Sequence, residues 1–186
     1  SGLTIYVERL SRALARRGHQ VTVLTSRFER SLPRVSLEGG ITVVRVPVAA
    51  RVSKGVLMPS FGLVATRLVR GHDVVHLHLP QFDAAGVALR GRLFRRPTVL
   101  TYHCDLTLPR GLFNRGVNLV VQAMNNLAAR FTDRVVTYTR DYATASPFLS
   151  RWADRLEVVP PPVELPATTP EAIRALGERL NPRGHR

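Results

Sequence analysis

Lysine is almost missing from this chain: all of its 27 basic residues except Lys54 are arginines, set against only 13 acidic ones for a formal net charge of +14. Cysteine occurs once, at Cys104, which excludes an internal disulfide and fits a reducing compartment. No apolar run approaches the roughly 20 residues that span a bilayer. No basic, then apolar, then small-residue pattern opens the chain, so the protein is expected to be soluble and cytoplasmic, without an export signal of its own. A long basic tail, or basic residues interleaved with aromatics, is also lacking, and both would be expected of a nucleic-acid binder.

What is present is enough chain for one domain: 186 residues can bury well over half the surface of the unfolded polypeptide without a disulfide or metal. Arginine chelates phosphate and carboxylate bidentately and keeps its charge. The basic excess therefore suits an anionic membrane surface or anionic small molecules. A general preference for arginine over lysine explains most of these residues as well.

Strand and helix patterns alternate from end to end. Thr4 is placed to cap a helix in which Tyr6, Leu10, Ala13 and Leu14 recur at helical spacing, and Gly18 ends it. A strand over 21–25 follows. The polar stretch 26–40, with Pro33 and Gly39-Gly40, reads as a loop, and 41–46 as a strand. Next come a helix over 59–70 with Leu63, Val64 and Leu68 inward, and a strand over 73–79 stopped by Pro80. A helix over 81–94 leads to a strand from Thr98. Beyond a loop with Pro109 and Gly111, a helix over 112–131 carries Val117, Val121, Met124, Leu127 and Phe131 at intervals of three and four. A strand over 134–138, a helix over 141–152 and a strand over 156–159 complete the series, and one short helix over 169–180 follows Pro160-Pro161-Pro162. This alternation predicts an α/β fold with a Rossmann-like parallel sheet and helices on both faces. The first helix opens straight after a glycine, so the sheet is expected to lack its first strand.

Chemistry concentrates at Thr98–Asp105, where an apolar strand ends in Tyr102, His103, Cys104 and Asp105. Open α/β sheets bind ligands at the carboxyl edge of their strands. His103 there could donate to a sugar hydroxyl or phosphate, act as acid or base, or simply cap the strand. His76 and His78, two apart on a strand, share a face. A zinc site shared with His103 and Cys104 is conceivable, but the spacing matches no zinc motif, so no metal is expected. His76 reads as a hydrogen-bonded core residue and His78 as bordering the cleft. Gly2, with Leu3 and Thr4, forms a turn at a helix start, where free N–H groups attract anions; the same turn also serves a purely structural role. Cys104 reads as an ordinary small residue near the cleft in the absence of any pattern that would activate it.

Together, SGLTIYVERLSRALARRGHQVTVLTSR, DVVHLHLP, TVLTYHCDL, DRVVTYTRDYATASPFL and LEVVPPPVEL resemble, in order and spacing, the N-terminal half of the family 4 glycosyltransferases. The resemblance implies a GT-B fold of two Rossmann-like domains with the active site between them. Residues 1–162 would be the first domain, and 163–186 the linker and start of the second. It implies a retaining, metal-independent transfer of a hexosyl group, mannose-like, from a GDP- or UDP-sugar to a glycan or lipid-linked acceptor, with no cofactor beyond that donor. His103 would contact the donor sugar; Gly2, Leu3 and Thr4 would contact the donor diphosphate; Tyr102, Asp105 and His78 would border the acceptor or sugar. The chain departs from the family in opening with Ser1-Gly2 where a Gly-Gly pair is usual, and in carrying Pro162-Val163 where Asn-Gly is usual. The nucleotide-binding domain is also absent, so the isolated chain is expected to be inactive. The competing expectation is a non-catalytic basic domain that docks on an anionic membrane surface or partner. Arg90, Arg92, Arg95 and Arg96, beside Leu93 and Phe94, would then form the contact, peripheral at the inner face of the membrane.

Overall fold

The computed structural model describes residues 2–52, 55–106, 111–163 and 169–180. Ser1 of the glycine turn, Lys54, Pro109 and parts of the expected linker, 164–168 and 181–186, lie outside them. Helix α1 (Gly2–Arg16) leads through Gly18, whose φ of +89° suits a residue without Cβ, into strand β1 (Val21–Arg27). Strands β2 (Val35–Glu38) and β3 (Ile41–Pro47) follow. β3 pairs with β1 in parallel, Val21 opposite Ile41, and with β2 antiparallel. The short strands β4 (Ala50–Val52) and β5 (Gly55–Leu57) pair antiparallel.

The second half of the chain builds a four-stranded parallel sheet in sequence order, β6 (Val75–Leu79), β7 (Thr98–Tyr102), β8 (Arg134–Thr137) and β9 (Leu156–Val158). Helices α2 (Phe61–Gly71), α3 (Ala84–Leu93), α4 (Leu112–Phe131) and α5 (Arg140–Ala145) precede or link these strands, and a 3-10 helix (Leu149–Arg155) leads into β9. Helix α6 (Pro170–Leu180) buries none of its residues. Among the described residues β1 and β6 each keep one unpaired edge, and the two sheets are tied by His72 Nε2 and Thr22 Oγ1 at 2.9 Å.

The period of two along a strand decides what each face carries. Leu77, Leu79, Leu100, Tyr102 and Val135 point to the side covered by α2, α3 and α4 and form its core with Ala65, Ala88 and Ala128. His76, His78, Thr101 and Val136 point to the opposite side, where α1 lays Tyr6 against them. The parallel sheet is therefore flanked by helices, as the alternation predicts.

Local readings change in several places. Stretch 26–40 contains β2, whose Val35 and Leu37 are exposed on an edge strand and so give no buried alternation to detect. Thr4 lies inside α1, which already includes Gly2, and does not cap it. Leu63 is 78% exposed, and α2 instead buries Phe61, Ala65 and Val69, because alanine lets the helix axis approach its neighbours more closely than leucine does. Along α4, Leu127 likewise turns outward while Asn125, Ala128 and Ala129 are buried. The expected helix over 141–152 is broken at Pro147, which cannot donate a helical N–H.

Gly91 on α3 shows how tightly that layer packs. A Cβ there would overlap Thr98 Oγ1, and Thr98 is held by its hydroxyl to Arg96 O at 3.0 Å and by its N–H to Asp133 Oδ2 at 2.7 Å. Alanine gains about 1 kcal/mol of helix propensity over glycine. Overpacking a site whose neighbour is pinned in two directions costs about 1–3 kcal/mol. Gly91→Ala is therefore expected to be destabilising by about 1 kcal/mol net, a fall of roughly 2–4 °C in Tm for a domain of this size, readable by thermal melts followed by circular dichroism.

Candidate active site

Strand ends β6, β7 and β8 lie in register, with His78 opposite Thr101 and Thr101 opposite Val136. His103 and Tyr138 each lie one residue beyond the end of β7 and β8, two along from Thr101 and Val136, and so keep the same face as His78. The result is a row of rings across the carboxyl edge. His78 Nδ1 lies 3.1 Å from His103 Nε2, and the Tyr138 hydroxyl bonds His103 Nδ1 on the ring's other side. Below them His76 stacks on His78 with centroids 4.4 Å apart and bonds the Thr101 hydroxyl through Nε2 at 2.8 Å. Tyr6 of α1 closes the row, its ring edge-on to His103 at 5.0 Å and to His78 at 5.8 Å.

Burial sets the protonation of this row. It depresses His76 to about 4, with the nearby His103 adding to the effect, and His78 to about 3, with His76 and His103 adding to it. His103 is lowered to about 4 by burial. All three imidazoles are neutral near pH 7. Burial raises Tyr6, against a smaller opposing hydrogen bond with Thr101, and lifts Tyr138 to about 12. The phenols stay protonated and able to donate.

A second cluster occupies the other parity of the same strand end. The Asp105 carboxylate accepts from the Tyr102 hydroxyl at 3.0 Å, the Tyr142 hydroxyl at 2.9 Å and the Ser146 hydroxyl at 3.0 Å. Tyr102 packs its ring on Phe148 at 4.1 Å. Burial raises both phenols, and the bond and negative charge of Asp105 raise them further. Three donors from β7, α5 and the turn after it thus fix Asp105, and with it the segment that carries His103. Cys104, between the two clusters, is exposed.

The structure brings His78 and His103 together as direct neighbours and places Tyr102 with Asp105 in the adjoining cluster. His76 is a hydrogen-bonded, largely buried residue, as its position on the strand predicts. Gly2, Leu3 and Thr4 form the first turn of α1, one turn before Tyr6, whose ring meets the histidine row. Tyr6, Tyr138, Tyr142 and Ser146 escape sequence reasoning. For Tyr138 a signal exists, since TYH at 101–103 and TYT at 137–139 both end strands in tyrosine and hydroxyl residues, but only the register shows that they meet. Among the described residues no group of three or more His, Cys, Asp or Glu side chains is placed to hold a metal ion.

Of the four arginines of the expected surface patch, Arg90 departs from the other three. Arg90 is turned inward, with Nε on Thr66 Oγ1 and a terminal nitrogen on Gly86 O, both at 2.7 Å. Arg96 bonds Arg70 O at 2.9 Å and pairs with Asp73 at 3.6 Å. Arg92, Arg95 and Arg96 all border an open surface depression with Phe131 and Asp133, next to the exposed Leu93. No described helix is long and apolar enough to cross a membrane.

The sequence and the fold both have known relatives. The family model for a glycosyl transferase 4-like domain matches residues 1–162. The chain is 31% identical, over a 212-residue alignment, to a D-inositol 3-phosphate glycosyltransferase of Xylanimonas cellulosilytica. That alignment takes in 96% of this chain and 48% of the relative, so the chain spans about half the relative's length. Among solved structures, a sucrose-phosphate synthase of Thermosynechococcus elongatus is similar with a TM-score of 0.51 at 16% identity, covering 95% of this chain and 91% of that one.

Proposed function

The chain belongs to the glycosyl transferase 4-like family, and on that premise we propose that it is the N-terminal half of a retaining hexosyltransferase that faces a nucleotide-sugar bound by a second domain. The observation that carries this reading is the neutral histidine pair His78–His103 at the carboxyl edge of the parallel strands, met by Tyr6 of α1. A sugar offers hydroxyls in fixed directions, and a neutral imidazole meets a hydroxyl as donor or acceptor without introducing a charge that the departing phosphate would trap. The first turn of α1, at Gly2, Leu3 and Thr4, supplies N–H groups and a positive dipole end for the donor diphosphate. Asp105, held rigid by three hydroxyls, keeps the His103 segment in place while the sugar is oriented.

The donor in this reading is a GDP- or UDP-hexose, with a mannose-like sugar first. The acceptor is a polyol or glycan, free or lipid-linked; the relative's name adds an inositol phosphate to the candidates. The test joins this domain to a nucleotide-binding second domain and supplies a panel of GDP- and UDP-hexoses with inositol 3-phosphate and lipid-linked glycan acceptors. Product is followed by mass spectrometry and its anomeric configuration by NMR. One donor–acceptor pair is expected to give a glycoside with the configuration of the donor retained. An inverted product, or neither transfer nor donor hydrolysis with any pair, would overturn the reading.

A further inference from the structure

His103 has both ring nitrogens engaged by protein, Nδ1 by the Tyr138 hydroxyl and Nε2 by His78 Nδ1. We propose that Tyr138 and His78 are positioning residues that lock His103 in one tautomer, with its proton on Nε2, so that it meets its ligand as a hydrogen-bond donor to oxygen. The proposal deepens the sugar-transfer reading and rests on it for the identity of the ligand, though not for the tautomer.

The argument is one of proton counting. Two neutral imidazoles facing each other nitrogen to nitrogen share one proton between them, so the row can run in only two directions. In the first, the Tyr138 O–H donates to His103 Nδ1, and His103 Nε2–H donates to His78 Nδ1. In the second, His78 Nδ1–H donates to His103 Nε2, and His103 Nδ1–H donates to the Tyr138 oxygen. A phenol O–H is a stronger donor than a neutral imidazole N–H, and an imidazole nitrogen is a stronger acceptor than a phenol oxygen. The first direction therefore makes the better bond at Tyr138, and hydrogen bonds in a chain reinforce one another. Burial keeps the Tyr138 phenol protonated across the working range, so it has a proton to give. His78 then carries its own proton on Nε2, on the far side of its ring from His103.

Two consequences follow for the site. With Nδ1 occupied and Nε2 protonated, His103 has no free lone pair with which to abstract a proton, so it orients and polarises. A ligand oxygen that approaches Nε2 competes with His78 Nδ1 for one N–H, so a sugar hydroxyl or phosphate oxygen is received by exchange of one acceptor for another. The alternate spacing of His76 and His78, which fits no metal motif, has a use in this arrangement: His76 stacks beneath His78 and holds that ring flat against the strand end.

The experiment is two-bond 1H–15N correlation NMR at pH 7 on protein labelled with 15N-histidine, with His103 assigned by its loss in His103→Gln. In the wild-type protein His103 Nδ1 is expected at the shift of an unprotonated, hydrogen-bonded nitrogen and Nε2 at that of a protonated one. In Tyr138→Phe the Nδ1 resonance is expected to move to the position of a free acceptor, while His72, bonded elsewhere to Leu68 O and Thr22, stays in place and reports an intact fold. A proton on Nδ1 in the wild type would overturn the proposal, and this holds even if Tyr138→Phe does not fold. So would His103 resonances unmoved by the substitution. Failure of the enzyme to transfer sugar from any donor would refute the functional reading and leave these spectra as they are.

Discussion

Replacing His103 by alanine in the two-domain enzyme is expected to lower kcat by about a hundredfold, roughly 2.7 kcal/mol of transition-state stabilisation, and to leave the fold unchanged. The magnitude follows from what the side chain supplies in the proposed arrangement: one aimed N–H, held by partners on both sides and packed against Tyr6 and His78, at the edge where the proposed donor would sit. Donors of this kind act at the developing charge without reorganising, which is why removing one costs more than the 0.5–1.5 kcal/mol or so of an ordinary hydrogen bond. The fold survives because His103 lies beyond the end of β7, outside the core of Leu77, Leu100 and Val135. The partners it leaves, His78 Nδ1 and the Tyr138 hydroxyl, likewise lie outside that core, at the carboxyl edge. Steady-state rates with saturating donor, alongside far-UV circular dichroism, check both halves of the prediction. A kcat within threefold of wild type would show that His103 does not touch the reacting sugar.

That the site could be approached from sequence at all depends on where its residues lie. His78 and His103 each end an apolar run at a proline or a polar segment, and both the alternation within VHLHL and the run TVLTYH declare which residues share a face. Their meeting depends only on β6 and β7 being neighbours, which consecutive parallel strands usually are. Tyr6 is different. On its helix it reads as one apolar position among Leu10, Ala13 and Leu14, and only the crossing of α1 over the far face of the sheet turns its ring toward histidines about 70–100 residues later. The Asp105 clamp draws on Tyr142 and Ser146, 37 and 41 positions away, on an element whose helix breaks at Pro147; no local periodicity encodes that contact. The antiparallel strand β2 escaped for the opposite reason: with Val35 and Leu37 in solvent it buries too little for its alternation to stand out. Where a residue's role is set by the strand or helix that carries it, the sequence discloses it. Where the role is set by packing between distant elements, it does not.

The same buried histidines make acid stability the second large effect, and the protein is expected to lose most of its stability between about pH 6.5 and pH 4. His76 and His78 take up protons near the ordinary histidine value when the chain is unfolded, but only near 4 and near 3 when it is folded, because burial disfavours the cation in both. Above pH 6.5 both states hold these rings neutral and their contribution is flat. As the pH falls below that value the unfolded chain binds protons that the native one refuses, so unfolding becomes progressively easier. Each such histidine steepens the fall by up to about 1.4 kcal/mol per pH unit until its native ring also charges. His103 follows the same sign with a smaller weight, since it is only half-buried and water screens its charge. A loss of several kcal/mol is comparable to the roughly 5–15 kcal/mol that holds a typical domain together. The formal charge of +14 works in the same direction, because each added proton increases self-repulsion in the compact state. Urea midpoints measured at half-unit steps from pH 8 to pH 4 should be level above 6.5 and fall steadily below it. In His76→Gln, which keeps a hydrogen-bonding side chain beside Thr101 but cannot charge, the fall should be shallower by about one proton's worth. Midpoints unchanged between pH 7 and pH 5 would mean that these rings are hydrated in the folded protein, and the neutral row on which the proposed sugar recognition rests would go with them.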